Sequence, residues 1–279
     1  MKILEYKAID LRFQMGARVV VKLGGGLITK KDEWKKFDIE RMQAVSIVLS
    51  KLSSLGASIV VVHGAGSFGH ILAKEWAISG GMNPDISSEQ REAVDQIRSD
   101  MNELNSLVVS CLEEVGLECD SLPPSEWAIG TGKDFDGPLE SFIRPSNLPI
   151  PITFGDAVDT GDEAEFGILS GDDLMLRLST ELPGVTHSIF LMGDAQGILD
   201  KPPTERVAKL LTTWSPSTYF KSEHRSEIDV TGGIMLKIER ASEISNDVEE
   251  VWILDGRRPE RILELVRTGE TIGTKILPG

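Results

Sequence analysis

The chain has 279 residues, 41% of them hydrophobic, and a formal net charge of −15. This length suits one large α/β domain or two small ones, with enough apolar side chains for a substantial core. The negative charge disfavours binding to nucleic acid or anionic membranes, so a site for a phosphorylated ligand must be locally cationic. No apolar run approaches the ~20 residues that cross a bilayer, and the first ten residues (MKILEYKAID) lack a signal-peptide core. We therefore expect a cytoplasmic protein.

The only two cysteines of the sequence are Cys111 and Cys119. Their spacing matches no zinc-binding or redox motif. We therefore expect two ordinary thiols that are buried or partly buried.

Strand and helix signals alternate along the chain, which is typical of a mostly parallel sheet with helices on both faces. The pattern predicts, in chain order, strand 18–23, helix 38–55, strand 57–63, a short helix near 71–78, helix 87–115, strand 150–154, strand 166–169, helix 170–182, strand 187–192, a helix from 231 to 244, strand 251–254, a helix after Pro259 and strand 274–277. Residues 123–151 are expected to be irregular, 159–162 to form a tight hairpin turn, and 200–228 to be a loop excursion or mobile flap.

Glycine turns follow several of these strands, at residues 24–26, 64–66, 155 and 193. In an open α/β sheet, ligands bind outside the carboxyl ends of the strands. The turns therefore predict a site for one extended anionic ligand or for two ligands.

The second turn, GAGSFG at residues 64–69, fits the dinucleotide pattern G-x-G-x-x-G but not its context. That fingerprint belongs to the first strand–helix unit, yet here the first strand has its own glycine turn. The ribose-binding acid expected about 20 residues later falls in the loop Asn83-Pro84-Asp85. A dinucleotide site also has no use for Lys22 inside the first strand, and the P-loop pattern G-x-x-x-x-G-K-[ST] is absent.

Lysines near the turns suggest phosphoryl transfer instead. Such transfer mainly requires positioning and neutralisation of anions, which glycine-turn N–H groups, helix N-termini and lysines can supply. Lys22 precedes the first turn, Lys30 and Lys31 follow it, and Lys237 lies one turn into the helix after Thr231-Gly232-Gly233. For Lys30 and Lys31 a solvated surface pair is an equal alternative.

The segments VKLGGGLIT, VVHGAGSFGH, FGD, ILSGDDL, MGDAQGI, DVTGGIMLK and GTKI, in this order, resemble the amino acid kinase superfamily. Within it they are most similar to the archaeal-type isopentenyl phosphate kinases, over about residues 18–276. The resemblance implies a three-layer αβα sandwich with an open, mostly parallel central sheet. It implies a domain spanning 18–279 after an extension of residues 1–17, with an acceptor-binding half at about 18–180 and an ATP-binding half at about 181–279.

The narrower segment GSFGH, ending at His70, is similar to isopentenyl phosphate kinases and to the related fosfomycin kinases. It implies that His70 binds the acceptor phosphate, while His63, at the end of a buried strand, is interpreted as structural. In the family's pattern Lys22 bridges the donor phosphates, and Asp172 orients the lysines. The remaining implied contacts are Gly25, Gly26, Gly66, Gly69, Gly155 and Asp156 for the acceptor, and Lys22, Lys31, Gly193, Asp194, Gly197, Gly232, Gly233 and Lys237 for ATP.

The acceptor's tail would need an apolar slot. The resemblance places it beside the long helix, with Val94, Ile97 and Met101 on one side and Ile168 opposite. The implied reaction is ATP- and Mg²⁺-dependent phosphorylation of isopentenyl phosphate by a homodimer, without an assigned metal ligand.

Alternatives are a fosfomycin-type phosphonate kinase, another small monophosphate kinase such as uridylate kinase, and a non-catalytic ligand sensor on the same fold. One departure from the family's pattern is Gly26, which stands where the first loop usually has serine.

Overall fold

The computed structural model of the chain describes residues 17–30, 33–201, 208–217 and 233–279. Within these ranges the strands are β1 (Arg18–Leu23), β2 (Ser58–His63), β3 (Cys119–Ser121), β4 (Ile150–Phe154), β5 (Asp156–Asp159), β6 (Phe166–Leu169), β7 (Val185–Met192), β8 (Thr213–Trp214), β9 (Glu250–Asp255) and β10 (Thr274–Ile276). Eight of them form one sheet in the order β3–β4–β2–β1–β7–β9–β10–β8, and β5 and β6 form a separate antiparallel hairpin. Only the β9–β10 pair of the large sheet is antiparallel, so the prediction of a mostly parallel sheet is confirmed.

The helices of the described ranges are α1 (Gly25–Ile28), α2 (Ile39–Ser54), α3 (Gly66–Glu75), α4 (Ser87–Glu113), α5 (Pro124–Trp127), α6 (Gly171–Glu181), α7 (Gly233–Ile244) and α8 (Glu260–Thr268). None of them is both long enough and apolar enough to span a membrane.

The alternation of side chains along β1 explains the three layers. Val19 and Val21 face a core shared with α2, α4 and α8, whereas Val20 faces a second core shared with α6 and α7. A strand that is apolar on both faces is typical of a sheet covered by helices on both sides. The predicted αβα sandwich is therefore confirmed.

Several boundaries differ from the sequence prediction. The helix expected near 71–78 begins at Gly66, so the glycine segment forms its first turns rather than a loop before it. The expected irregular region contains α5, and the short strands β3 and β8 were not predicted. The prediction of a tight hairpin turn at 159–162 is wrong in length, because the β5–β6 connection runs from 160 to 165.

Residues 1–16, most of the expected flap at 200–228, Lys31 and Gly232 lie outside the described residues. The division of the chain into an extension, an acceptor half and an ATP half stays a prediction.

Candidate active site

The predicted glycine turns meet at one edge of the central sheet. Leu23 of β1 pairs with His63 of β2 and Leu191 of β7, and His63 pairs with Phe154 of β4. Because the four strands are parallel and in register there, the turns that follow them lie side by side. They line a cleft of about 470 Å³.

The turns approach so closely that their backbones are in contact. A Cβ atom added to Gly25 would lie 2.3 Å from the backbone N of Gly66, and one added to Gly193 would lie 2.2 Å from the carbonyl O of Gly26. No side chain fits at these distances, which explains why glycine occupies both positions. The N–H groups of neighbouring turns are thereby concentrated in a small volume.

A buried ion-pair cluster forms the floor of the cleft. Lys22 on β1 is only 5% exposed, and its Nζ lies 2.6 Å from Oδ1 of Asp172. The Nζ of Lys237, on α7, lies 3.0 Å from the same oxygen. Asp172 is fixed in the first turn of α6, where its N–H donates to the capping hydroxyl of Ser170. The cluster carries two ammonium groups for one carboxylate, so its excess charge suits an anionic ligand.

Burial and the neighbouring charges shift the titration of this cluster. Burial, together with repulsion from Lys237, lowers the pKa of Lys22 to about 7, although Asp172 opposes the shift. For Asp172, burial favours the protonated form, but attraction to Lys22 and Lys237 outweighs it and lowers the pKa of the carboxyl. A phosphate bound at Lys22 would favour the ammonium form and raise its pKa again.

A second ion pair lies directly beside the first one. The Nε of Arg240, one turn after Lys237 on α7, lies 2.7 Å from Oδ1 of Asp173, and both side chains are buried. Sequence reasoning missed this pair. The pair could have been predicted from the charge pattern of the two helices. Asp173 directly follows Asp172, and Arg240 lies on the same side of its helix as Lys237.

The two histidines near the second turn have different surroundings. His63 is fully buried, stacks on Phe154 at 4.9 Å between ring centroids, and places Nε2 3.2 Å from Oδ1 of Asn105. Burial lowers the pKa of His63 to about 4, so it is neutral at ordinary pH. This supports its structural interpretation. His70 lies on α3, is exposed, and lines the cleft.

The wall near α4 is apolar except for one acid. Ile97 and Met101 of α4 and Ile168 of the β5–β6 hairpin line the cleft. Asp156 also lines it, and burial raises the pKa of this carboxyl against the opposing effect of hydrogen bonds from Ser125 and Ala157.

The hairpin is held against α4 by Arg98. Its Nε donates to the carbonyl O of Ala157 at 2.8 Å, and its guanidinium pairs with Asp159 at 2.7 Å. This contact fixes the distance between α4, which carries Ile97 and Met101, and the hairpin, which carries Ile168. Sequence reasoning missed Arg98, because a charged residue on an amphipathic helix is ordinarily solvated.

The structure brings most of the sequence-predicted residues together in this cleft. The lining includes Lys22, Gly25, Gly26, Gly69, His70, Ile97, Met101, Gly155, Asp156, Ile168, Asp172, Gly193, Asp194 and Lys237. Among the described residues, the predicted Gly66, Val94 and Gly197 are outside the lining: Gly66 packs against Thr29, Val94 lies in the core, and Gly197 packs against Thr274. Gly233 is the first residue of α7. The lining residues that were not predicted include Ala73, Ser170, Met192, Ile234 and Leu236.

Comparison with known proteins gives a consistent result. The amino acid kinase family profile matches residues 17–255. The isopentenyl phosphate kinase of Thermoplasma acidophilum is 33% identical over 260 residues, which cover 92% of this chain and 99% of that protein. That of Methanothermobacter thermautotrophicus is 28% identical, with 92% and 98% covered. A crystal structure of the T. acidophilum isopentenyl phosphate kinase product complex superposes with a TM-score of 0.75 at 28% identity, covering 93% of this chain and 100% of that one.

Proposed function

The chain belongs to the amino acid kinase family, and we propose that it transfers the γ-phosphoryl group of ATP to isopentenyl phosphate, forming isopentenyl diphosphate. The observation that carries this proposal is the composition of the cleft. It joins the two-lysine cluster around Asp172 to an apolar wall, with His70 and the glycine turns between them. A short acceptor that is anionic at one end and apolar at the other matches this arrangement.

The charged cluster suits the donor side of the reaction. Phosphoryl transfer spreads negative charge over the oxygens of the moving group, and preorganised cations stabilise that charge. Lys22 and Lys237 share Oδ1 of Asp172, and these three residues and Asp194 line the cleft. We assign Lys22 and Lys237 to the donor phosphates and Asp172 to the orientation of both ammonium groups.

His70 and Gly69, at the start of α3, suit the acceptor phosphate. A phosphate monoester is already a nucleophile, so the acceptor needs placement rather than a general base. The imidazole of His70, in the favourable potential near this helix N-terminus, can hold an anion in line with the γ-phosphate. We assign His70 as the acceptor-phosphate ligand.

The apolar wall supports an isoprenyl acceptor over a phosphonate antibiotic. Ile97, Met101 and Ile168 offer no hydrogen bonds to a polar tail, whereas they pack favourably against a five-carbon chain. These three side chains likewise offer no hydrogen bonds to the ring edges of a uridine, which disfavours a nucleotide acceptor.

Use of ATP accords with membership of a kinase family, and we propose that Mg²⁺ enters with it. Among the residues that the structure describes, no three His, Cys, Asp or Glu side chains are grouped so as to hold a metal ion. Mg²⁺ is commonly bound through substrate phosphates with few protein ligands. When bound, the ion would neutralise charge on the phosphates, and the lysines would complete that neutralisation.

We also propose a homodimer. Ile47 on α2 and Leu107 on α4 are exposed apolar side chains on two helices that pack against each other. Analytical ultracentrifugation of the full chain tests this, since a single species at the mass of one chain contradicts it.

An acceptor screen tests the function. The full chain is supplied with ATP and Mg²⁺, and with isopentenyl, dimethylallyl or geranyl phosphate, uridine monophosphate or fosfomycin. Formation of ADP and of a diphosphate ester is followed by ³¹P NMR. We expect the highest kcat/KM for isopentenyl phosphate. Failure on all three isoprenyl phosphates would reject the proposal.

A further inference from the structure

One buried hydroxyl connects the two glycine turns. The side chain of Thr29, which is 2% exposed, donates its Oγ1 hydrogen to the carbonyl O of Gly25 at 2.8 Å. The same oxygen accepts a hydrogen bond from the backbone N–H of Ser67 at 3.0 Å. Gly25 belongs to the turn after β1, and Ser67 to the first turn of α3 after β2. The hydroxyl therefore forms a bridge between the two segments.

Both ends of this bridge lie near groups that we assign to the phosphates. Gly25 is adjacent to Gly24 and Gly26 in the lining, close to Lys22. Ser67 precedes Gly69 and His70 on the same helix. Movement of the hydroxyl would therefore shift the turn that follows Lys22 and the helix that carries His70 relative to each other.

The bridge has little room for adjustment. A Cβ atom added to Gly66 would lie 2.1 Å from Oγ1 of Thr29, so the acceptor turn packs directly on the hydroxyl. The backbone N–H of Thr29 also donates to the carbonyl O of Gly25, at 2.9 Å, which fixes the threonine against the turn after β1. Together with the direct backbone contact between Gly25 and Gly66, these contacts couple the relative position of the two turns to the Thr29 side chain.

We propose that Thr29 is a positioning residue that sets the separation and alignment of the donor and acceptor phosphates. This inference rests on the proposed function. Transfer requires the reacting atoms within about 3–3.5 Å of each other and in line, and small displacements reduce the rate steeply. Thr29 itself touches neither ligand in this assignment. It acts through Gly25 and through the first turn of α3.

A matched set of substitutions separates this role from simple loss of packing. Thr29→Val keeps the shape but removes the hydroxyl, leaving the Ser67 N–H without its partner. Thr29→Ser restores the hydroxyl. Thr153→Val is the control, since Thr153 on β4 is equally inaccessible (0% exposed) and its Oγ1 has no hydrogen-bond partner among the residues that the structure describes.

We expect Thr29→Val to lower kcat about 10-fold or more while the Kd of ATP, measured by calorimetry, changes less than about 3-fold. Thr29→Ser should recover most of kcat, and Thr153→Val should retain it. Thermal unfolding of each variant accompanies the kinetics. An equal fall of kcat in Thr29→Val and Thr153→Val, or a Thr29→Val variant with unchanged kcat, overturns the proposal.

Hydrogen exchange of the Ser67 amide gives a readout that is independent of turnover. The amide should exchange faster in Thr29→Val than in the unmodified chain, Thr29→Ser or Thr153→Val, because it loses its acceptor. If the unmodified chain does not phosphorylate isopentenyl phosphate, the proposed function fails, and Ser67 exchange still decides whether the bridge exists. Unchanged exchange in Thr29→Val refutes the bridge whatever the acceptor is.

Discussion

On the α6–α7 side of the cleft, positive charge is held by buried ion pairs, whereas the α3–α4 side consists of backbone N–H groups, one exposed histidine and apolar side chains. The first side is preorganised electrostatically, because Lys22 and Lys237 share one oxygen of Asp172. The second is preorganised sterically, because glycine turns touch and Arg98 fixes the hairpin to α4. We therefore expect substitutions that remove a charge to affect catalysis mainly on the α6–α7 side. Substitutions that change side-chain shape or hydrogen-bond donors should affect it mainly on the α3–α4 side.

Removing Lys22 should have the largest effect. For Lys22→Ala we expect kcat to fall roughly 10³-fold, because a preorganised cation at the transferring group is lost, with a much smaller effect on ATP binding. Steady-state kinetics beside calorimetry measures both quantities. Lys51→Ala, on the exposed surface of α2, serves as the control. Loss of ATP binding with little change in kcat would contradict the role assigned to Lys22.

His70→Ala tests the α3–α4 side. We expect a fall of about 10²-fold or more in kcat/KM for the acceptor, since an oriented donor at the reacting phosphate is lost. The Kd of ATP should change little, because His70 is assigned to the acceptor phosphate and the lysine cluster to ATP. His63→Ala is unsuitable as a control, since His63 is a core residue, so His187→Ala, at the start of β7, is preferred. Unchanged kcat/KM would falsify the assigned role of His70.

The pH dependence of the kinetic parameters tests the role of Lys22, on the α6–α7 side of the cleft. The ammonium form of Lys22 is needed for phosphate binding, and its pKa in the free protein is about 7. We therefore expect kcat/KM to fall by up to about 10-fold per pH unit above 7, whereas kcat, which reports the loaded site, should fall only at higher pH. A pH profile of both parameters checks this. Identical alkaline limbs would argue against a titrating Lys22.

The lowered pKa of Lys22 also makes the stability of the folded chain depend on pH. The folded-state pKa of Lys22, about 7, is below its ordinary value of 10.5, so between these pH values the unfolded chain binds more protons. Burial of the charged ammonium therefore lowers the free energy of unfolding by its full amount below pH 7, and this destabilisation disappears as the pH rises from 7 to 10.5. Relative to Lys22→Met, the unmodified chain should therefore gain stability over that window in denaturant unfolding. A parallel pH dependence of the two proteins would contradict this.

The smallest effect on catalysis is expected at Arg240. Its pair with Asp173 anchors α7 on α6 without lining the cleft, so Arg240→Met should reduce stability by about 3 kcal/mol through an unpaired buried carboxylate. The KM for ATP should rise only a few-fold. The double variant Arg240→Met/Asp173→Asn should recover part of the stability, as urea unfolding would show. Additive losses would mean that the two groups are not coupled.

The local chemistry of the site was readable from the chain. Lys22 is identified because a lysine in an apolar strand needs an anionic partner, and His63 is interpreted as structural because it ends a buried strand. The role predicted for His70 comes from the resemblance of the segment GSFGH to known kinases. The start of α3 was placed too late, since glycines usually oppose helix formation. Here Thr29 supplies a hydrogen-bond partner to the Ser67 N–H in the first turn of the helix.

By itself, the sequence determined which segments are buried strands, where their glycine turns fall and which lysines accompany them, because periodicity and residue type act over a few neighbouring positions. Only the tertiary structure decided which turns touch. Thr29 meets Ser67 across 38 positions, and Arg240 meets Asp173 across 67. Such contacts depend on how helices pack on the sheet, and no local pattern in a single sequence specifies which distant hydroxyl or carboxylate a given group will meet.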